Sequence, residues 1–421
     1  MRTPELLAPA GSQAMLETAL AFGADAVYAG QPRYSLRVRN NTFRDEAALG
    51  VGIEYAHARG KRFYVVSNVF PHNSKIRTYL ADIAPVIALG PDALIMADPG
   101  LIDMVREHWP EMPTHLSVQA NTVNFAAVRF WQKLGIRRVI LSRELSLDQV
   151  AEIRQECPDV ELEVFVHGAL CIAYSGRCLL SGYFNHRDPN QGTCTNSCRW
   201  AFNTQPGTVA PDGDVFLLEE PTRRAGSFMP IEEDEHGTYI LNSKDLRAIE
   251  HVNRLAGIGV DSLKIEGRTK SPYYAARTCQ TYRRAIDDAV AGRPLDPALL
   301  RELDGLANRG YTGGFYERHP DREYQNYLRG HSESDRSLYV GDVIGYDAEG
   351  LAEVEVKNRF AVGDRIELIH PRGNVALTVT AMRDRDGNPA EVAPGSGHRV
   401  GIPLPPGYAG AFVARFVDAD A

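Results

Sequence analysis

Four of the chain's six cysteines, Cys171, Cys178, Cys194 and Cys198, crowd into residues 171–198 with the spacing C-x6-C-x15-C-x3-C. Thiols clustered in a reducing compartment are metal ligands or redox groups before they are disulfides. The pattern lacks the paired C-x2-C halves of a zinc ribbon, although Cys194 and Cys198 alone could form half of a zinc knuckle. Iron–sulfur clusters accept thiolates at irregular spacing and fit at least as well. With all four thiolates bound, a 4Fe–4S cluster is fully ligated and serves electron transfer or structure; with three, one iron stays open as a Lewis acid. Cys279 is an alternative to Cys198 as fourth ligand. Otherwise Cys157 and Cys279 sit in helix-like segments where free cysteine packs as a small apolar residue.

A second group of reactive side chains ends apolar runs: Tyr28, Asn68, Asp98, Gln119, Asn121, Ser142, Arg143, Glu144, His167, Lys264, Glu266 and Arg268. In "LKIEGR", strand alternation sends Lys264, Glu266 and Arg268 to one side, an arrangement that suits either a structural ion pair or an anion site shared with Arg143. His167 and Glu266 are the candidates for proton transfer, and Arg143, Lys264, Arg268 and Asn121 for substrate contacts. The run "QPRYSLRVRNNTFR" interleaves Arg33, Arg37, Arg39 and Arg44 with Tyr34 and Phe43, a composition suited to phosphate contacts and base stacking. Arg37, Arg39 and Arg44 are therefore candidate RNA contacts, with a solvated charged loop as the plain alternative.

The elements that must hold these groups are legible as eight short apolar runs: 5–11, 24–30, 62–68, 93–98, 115–121, 138–144, 161–168 and 261–268. Amphipathic segments such as 13–22, 45–59, 74–89, 123–134, 146–156 and 244–256 lie between them, several stopped by glycine. Strict alternation of buried strands with helices implies a parallel sheet covered on both faces, and eight units suit a closed (β/α)8 TIM-like barrel better than an open sheet. A barrel domain over residues 1–316 is expected. The cysteines fall in an insert, 169–260, between the seventh and eighth strands. A charged linker, 317–336, leads to period-two alternation over 337–421, the mark of a small antiparallel β-barrel of about six strands.

Composition excludes little else. Apolar residues at 44% and charged residues at 24% are ordinary for a globular chain, and a net charge of −8 disfavours indiscriminate nucleic-acid binding while permitting a local basic surface. The start "MRTPELLAPAGS" has neither a basic segment nor a long apolar stretch, and no run of about 18 apolar residues occurs, so a cytoplasmic protein with no membrane partner is expected. No H-E-x-x-H, G-x-S-x-G or P-loop is present.

The stretch "EVFVHGALCIAYSGRCLLSG", with Glu163, Phe165, Gly168, Cys171, Gly176, Cys178 and Ser181, resembles the signature of the U32 family, long described as peptidases. "ELLAPAGS", "NSKDL" at 242–246, "SLKIEGR" at 262–268 and the C-terminal β-domain extend the resemblance over nearly the whole chain. "NQGTCTNSCRW" is similar to a branch that forms 5-hydroxyuridine at the tRNA wobble position. That branch implies tRNA as partner, prephenate as co-substrate and an iron–sulfur cluster. Other branches imply an accessory role in quinone or ribosomal RNA hydroxylation, or proteolysis, for which no activated nucleophile is visible.

Overall fold

The computed structural model describes residues 2–36, 42–170, 244–308, 310–317 and 337–417, together with the strands of 203–238. Seven parallel strands follow in order: β1 (Glu5–Pro9), β2 (Ala26–Gly30), β3 (Arg62–Ser67), β4 (Ala93–Met96), β5 (Thr114–Leu116), β6 (Arg138–Ile140) and β7 (Glu161–Ala169). Helices α1 (Gln13–Ala21), α2 (Glu46–His57), α3 (Asn73–Ala88), α4 (Pro99–His108), α5 (Phe125–Lys133) and α6 (Leu147–Glu156) link them. Local chemistry places the helix ends. Ser12, Asp45, Asp98 and Asn124 cap helix N-termini through their side chains, and Ser146 with Gln149 forms a capping box. Gly23, Gly60, Gly90 and Gly135, expected as helix stops, all hold positive φ.

The insert contributes an antiparallel sheet of β8 (Asn203–Ala210), β9 (Gly213–Glu219) and β10 (Phe228–Ile231), and a small pair, β11 (Glu233–Asp234) with β12 (Gly237–Thr238). The segment expected to be helical from residue 244 instead begins with a strand, β13 (Asp245–Arg247), and helix α7 (Val252–Ile258) follows. The eighth barrel strand, β14 (Ser262–Ile265), pairs in parallel with both β1 and β7, which closes the barrel. Helix α8 (Pro272–Val290) and α9 (Pro297–Asp304) complete the outer layer.

Strand β7 is longer than its neighbours and rises above the barrel, where β13 pairs with it antiparallel through Asp245 with Ala169 and Arg247 with His167. Strand β15 (Tyr311–Thr312) then joins β13. The C-terminal mouth is thus walled higher beside β7 than elsewhere. The described chain reaches Leu170 at that wall, one peptide bond before Cys171.

Beyond the barrel, six strands form one antiparallel half-barrel sheet in the order β20 (Val375–Thr378), β19 (Arg365–Ile369), β23 (Phe412–Phe416), β16 (Ser337–Tyr346), β17 (Ala352–Val356) and β22 (Arg399–Ile402). A separate pair joins β18 (Phe360–Ala361) to β21 (Val392–Ala393). The sheet has its own apolar core, built from residues such as Val354, Ile366 and Val413. It meets the barrel through Tyr273 stacked on Tyr339 and through the Arg277–Glu367 ion pair.

Candidate active site

The barrel interior is polar along much of its length. At its floor, the N-terminal end, Arg138 donates to Glu5 at 2.6 Å, and its guanidinium also lies 2.8 Å from Glu161 and 3.1 Å from Glu163. Glu163 accepts from Lys264 Nζ at 2.8 Å, and Glu5 accepts from Tyr64 Oη and Arg62. Burial alone would raise the Glu163 carboxyl, but Lys264 and Arg138 beside it hold it below the ordinary carboxylate range. Lys264, expected to meet substrate, is consumed by this network: its ammonium lies 4.4 Å from the centre of the Tyr28 ring and is buried. The expectation is corrected in depth. Lys264 and Glu266 share a face, but two residues along a strand separate them by about 6.6 Å, and only Glu266 reaches the mouth.

At the mouth, Tyr28 Oη donates to the Ile265 carbonyl at 2.9 Å and lies 3.3 Å from Glu266 Oε2. Arg143 stacks on Phe165, 3.7 Å from the ring centre, with Nη2 4.0 Å from the same carboxylate. Arg268 donates to Ser35 Oγ at 2.8 Å and lies 5.6 Å from the Tyr28 ring centre. Gly30 makes room for it, since a Cβ there would stand 3.0 Å from Arg268 Nη1 and 2.5 Å from Ser35 Oγ. Two guanidinium groups and one carboxylate therefore meet around Tyr28 and Phe165, a set that can hold an anion beside a carboxylate able to accept or return a proton.

Across the mouth, the loops after β5 and β6 carry a different surface. Asn121 adopts φ 50°, the one left-handed non-glycine residue among those described, and ends the tight turn Val118–Ala120. On these loops Gln119 Nε2, Thr122 Oγ1, Ser142 Oγ, Arg143 Nε and Glu144 Oε2 are buried without a hydrogen-bond partner among the described residues. Native proteins leave few buried polar atoms in that condition, so five on adjoining loops mark a place for polar ligand atoms. Gln119, Ser142 and Glu144 were legible as strand-end residues; Thr122 and Ser117 carried no signal of their own.

His167 is not part of this mouth. A bulge in the β7–β14 pairing, between the Lys264–Phe165 and Ile265–His167 partners, turns its ring toward helix α8, among Tyr274, Tyr282 and Tyr311 at 5.5–5.8 Å. Burial pushes its pKa down to about 3, only partly offset by Asp245, so the imidazole is neutral and structural. The bulge is held by Tyr282, which donates to the Val166 carbonyl at 2.6 Å, and by Tyr316, which donates to that of Phe165 at 2.6 Å. Gly168 follows with φ 102°, and a Cβ there would come within 2.4 Å of the Glu266 carbonyl, which fixes glycine at this point of the motif.

Other expectations divide. Tyr34 and Phe43 are core residues, at 0% and 2% exposure, and cannot stack on bases. Arg33 pairs with Asp82 at 2.7 Å, and Arg44 is exposed. Arg37 and Arg39 lie outside the described residues, as do Cys171, Cys178, Cys194 and Cys198 and nearly all of the linker. Asp98 is a helix cap. Cys157 is buried, and Cys279 is wholly buried on α8 with its thiol pushed up to about 12 by burial, the condition of a packing residue. Among the described residues no group of three or more His, Cys, Asp or Glu is arranged to hold a metal, and no helix is long and apolar enough to cross a membrane. By their chemistry, the four thiols of the insert are a soft-ligand set of the kind that could hold a cluster.

The barrel with its raised β7 wall and cysteine-bearing insert defines a class, and the chain belongs to it: the profile of peptidase family U32 matches residues 11–326, and that of the family's C-terminal domain residues 335–415. Within the family, the chain is 58% identical to tRNA hydroxylation protein P of Escherichia coli K12, over 96% of this chain and 94% of that protein. It is 54% identical to the protein of the same name from Haemophilus influenzae, over 96% and 93%. Identity to tRNA hydroxylation protein P1 of Bacillus subtilis is 35%, over 93% and 90%.

Proposed function

We propose that the protein hydroxylates tRNA, forming 5-hydroxyuridine at the wobble position, with prephenate as co-substrate and an iron–sulfur cluster on Cys171, Cys178, Cys194 and Cys198. The observation that carries the reading is similarity at 58% identity, across both domains, to a tRNA hydroxylation protein. The geometry supports it in kind. Arg143 and Arg268 are the cations at the mouth that would hold the carboxylates of prephenate, and Glu266, between Tyr28 and Arg143, is the group that would move a proton. A cluster bound at the insert supplies electron transfer or an open Lewis-acidic iron. Arg37, Arg39 and Arg44 remain candidates for phosphate contacts, which the acidic total charge confines to a local surface. A cytoplasmic location follows from the substrate.

The test is mass spectrometry of tRNA from a strain lacking this activity and any parallel oxygen-dependent route. Expression of the chain restores 5-oxyuridine derivatives at the wobble position, and Cys171→Ala does not. Anaerobically purified protein carries about four irons per chain; Cys198→Ala lowers iron, whereas Cys279→Ala retains it. Restored quinone with unmodified tRNA would instead establish the accessory role in quinone hydroxylation.

A further inference from the structure

The polar atoms at the mouth are held in a fixed donor and acceptor order, beginning from a group whose role is unambiguous. The Leu36 backbone N–H can only donate, and it donates to Asn68 Oδ1 at 3.4 Å. The other end of that amide, Asn68 Nδ2, must then be its donor, and it reaches Ser117 Oγ at 3.3 Å. Ser117, with one lone pair taken, donates its proton to Gln119 Oε1 at 3.0 Å. Each step consumes one role and passes the other on. What remains at the end is Gln119 Nε2, an NH2 donor on a residue only 2% exposed, with no partner among the described residues. Reversing the Gln119 amide would fill both lone pairs of the Ser117 oxygen with NH2 donors and leave the serine proton without an acceptor among the described residues.

We infer that Gln119 Nε2 reads the 4-keto oxygen of a uracil base, and that Asn68 and Ser117 are positioning residues that hold the amide in its donor orientation. This deepens the proposed function and rests on it. Uracil presents a carbonyl acceptor at C4 where cytosine presents an amino donor, so a pinned donor pairs with the first and meets the second donor to donor. A buried group built to hydrogen-bond discriminates more strongly than an apolar pocket, because the wrong ligand leaves it desolvated and unpaired. Thr122 Oγ1 and Ser142 Oγ, on segments joined by the Ser142 N–H to Thr122 carbonyl bond of 3.3 Å, are the adjacent unpartnered groups available to the base's remaining polar edge.

The experiment measures binding of the full, anaerobically purified chain to two synthetic anticodon stem–loop RNAs that differ only in uridine or cytidine at the wobble position. Wild type favours the uridine RNA by roughly tenfold or more, the effect of one well-placed buried hydrogen bond. Gln119→Glu, nearly isosteric but able only to accept, removes or inverts the preference. Ser117→Ala frees the amide and brings the two affinities to within about threefold, mainly by weakening the uridine RNA; circular dichroism melts establish that both variants fold. Equal affinity of wild type for the two RNAs overturns the inference and leaves the hydroxylation reading standing. A uridine preference that survives in both variants overturns the assignment to Gln119. Failure to bind either RNA overturns both readings at once.

Discussion

The floor and the mouth of the barrel are both lined with polar side chains, and they treat their charged groups differently. On the floor the buried charges of Arg138, Glu163 and Lys264 have opposite charges within 3.1 Å, and Glu5 is shared by Arg62, Tyr64 and Arg138. At the mouth, Gln119, Thr122, Ser142, Arg143 and Glu144 each leave a buried polar atom unpartnered among the described residues. Satisfied polar groups contribute to the fold or are neutral to it; unsatisfied ones cost about 1–3 kcal/mol each and persist where a ligand completes them. The floor has unpartnered atoms too, Thr114 Oγ1 and His115 Nδ1 among the described residues, so the contrast lies in the charged groups and in the grouping: paired charges hold the structure at one end, and unpartnered polar atoms gather on two adjoining loops at the other, in keeping with the division of βα barrels into a stabilising end and a reactive end.

The sharpest way to break that comparison is to remove the centre of the floor network. Glu163→Ala leaves Lys264 and Arg138 buried beside a missing carboxylate, and a loss of about 3–5 kcal/mol in unfolding free energy is expected. Urea denaturation of purified protein measures it. A loss below about 0.5 kcal/mol, the range of an ordinary surface substitution, would show that the floor charges are not a structural unit.

Next in size is a pH effect from two deeply buried imidazoles among the described residues. His167 sits behind the mouth and His115 near the floor; burial holds both neutral, with His167 brought to about 3 and His115 also well below the ordinary value. An unfolded histidine takes its proton near pH 6.5 and the folded one does not, so this stability is complete above about 6.5 and is lost as pH falls toward the folded value. At pH 5 the loss is about 2 kcal/mol for His167, and His115 adds to it in the same direction. The depressed Glu163 carboxyl adds its own loss only below about pH 4.5. His167→Gln therefore reduces the stability lost between pH 6.5 and 5, by up to about 2 kcal/mol. An unchanged slope would mean that His167 titrates in the folded protein and faces the mouth after all.

The barrel was legible because buried parallel strands read as continuous apolar runs and helices as amphipathic ones, with glycine and Ser/Asp signals at their ends. The insert was legible by length, though its strand β13 was not: three residues, Asp245–Arg247, form a strand only because the overhang of β7 offers them an edge. Depth and long-range partners escaped. Alternation put Lys264 on the inward face correctly but could not say that Glu163, far away in sequence, awaited it there. A one-residue bulge reversed the facing of His167, and nothing in "EVFVHG" announces a bulge. Tyr34 and Phe43 looked like loop aromatics because their packing partners, Tyr79 and Phe63, belong to other elements. The Leu36, Asn68, Ser117 and Gln119 relay joins three separate loops and exists only in the folded chain.

The smallest expected effect on stability is the most informative about the mouth. Thr122→Val and Ser142→Ala each delete a hydroxyl that has no described partner, so no hydrogen bond is lost and a desolvation cost is relieved. Unfolding free energy should stay within about 0.5 kcal/mol of wild type or rise slightly. Restoration of wobble hydroxylation in the deletion strain should nevertheless fall, because a hydroxyl unpaired in the free protein contributes its hydrogen bond only when substrate is bound. If both variants instead lose 1 kcal/mol or more of stability, the hydroxyls are already paired in the free protein and the contrast between floor and mouth fails. Stability kept with full modification would leave the contrast intact but remove these two residues from the substrate's contacts, and would place the reading of the base on Gln119 alone.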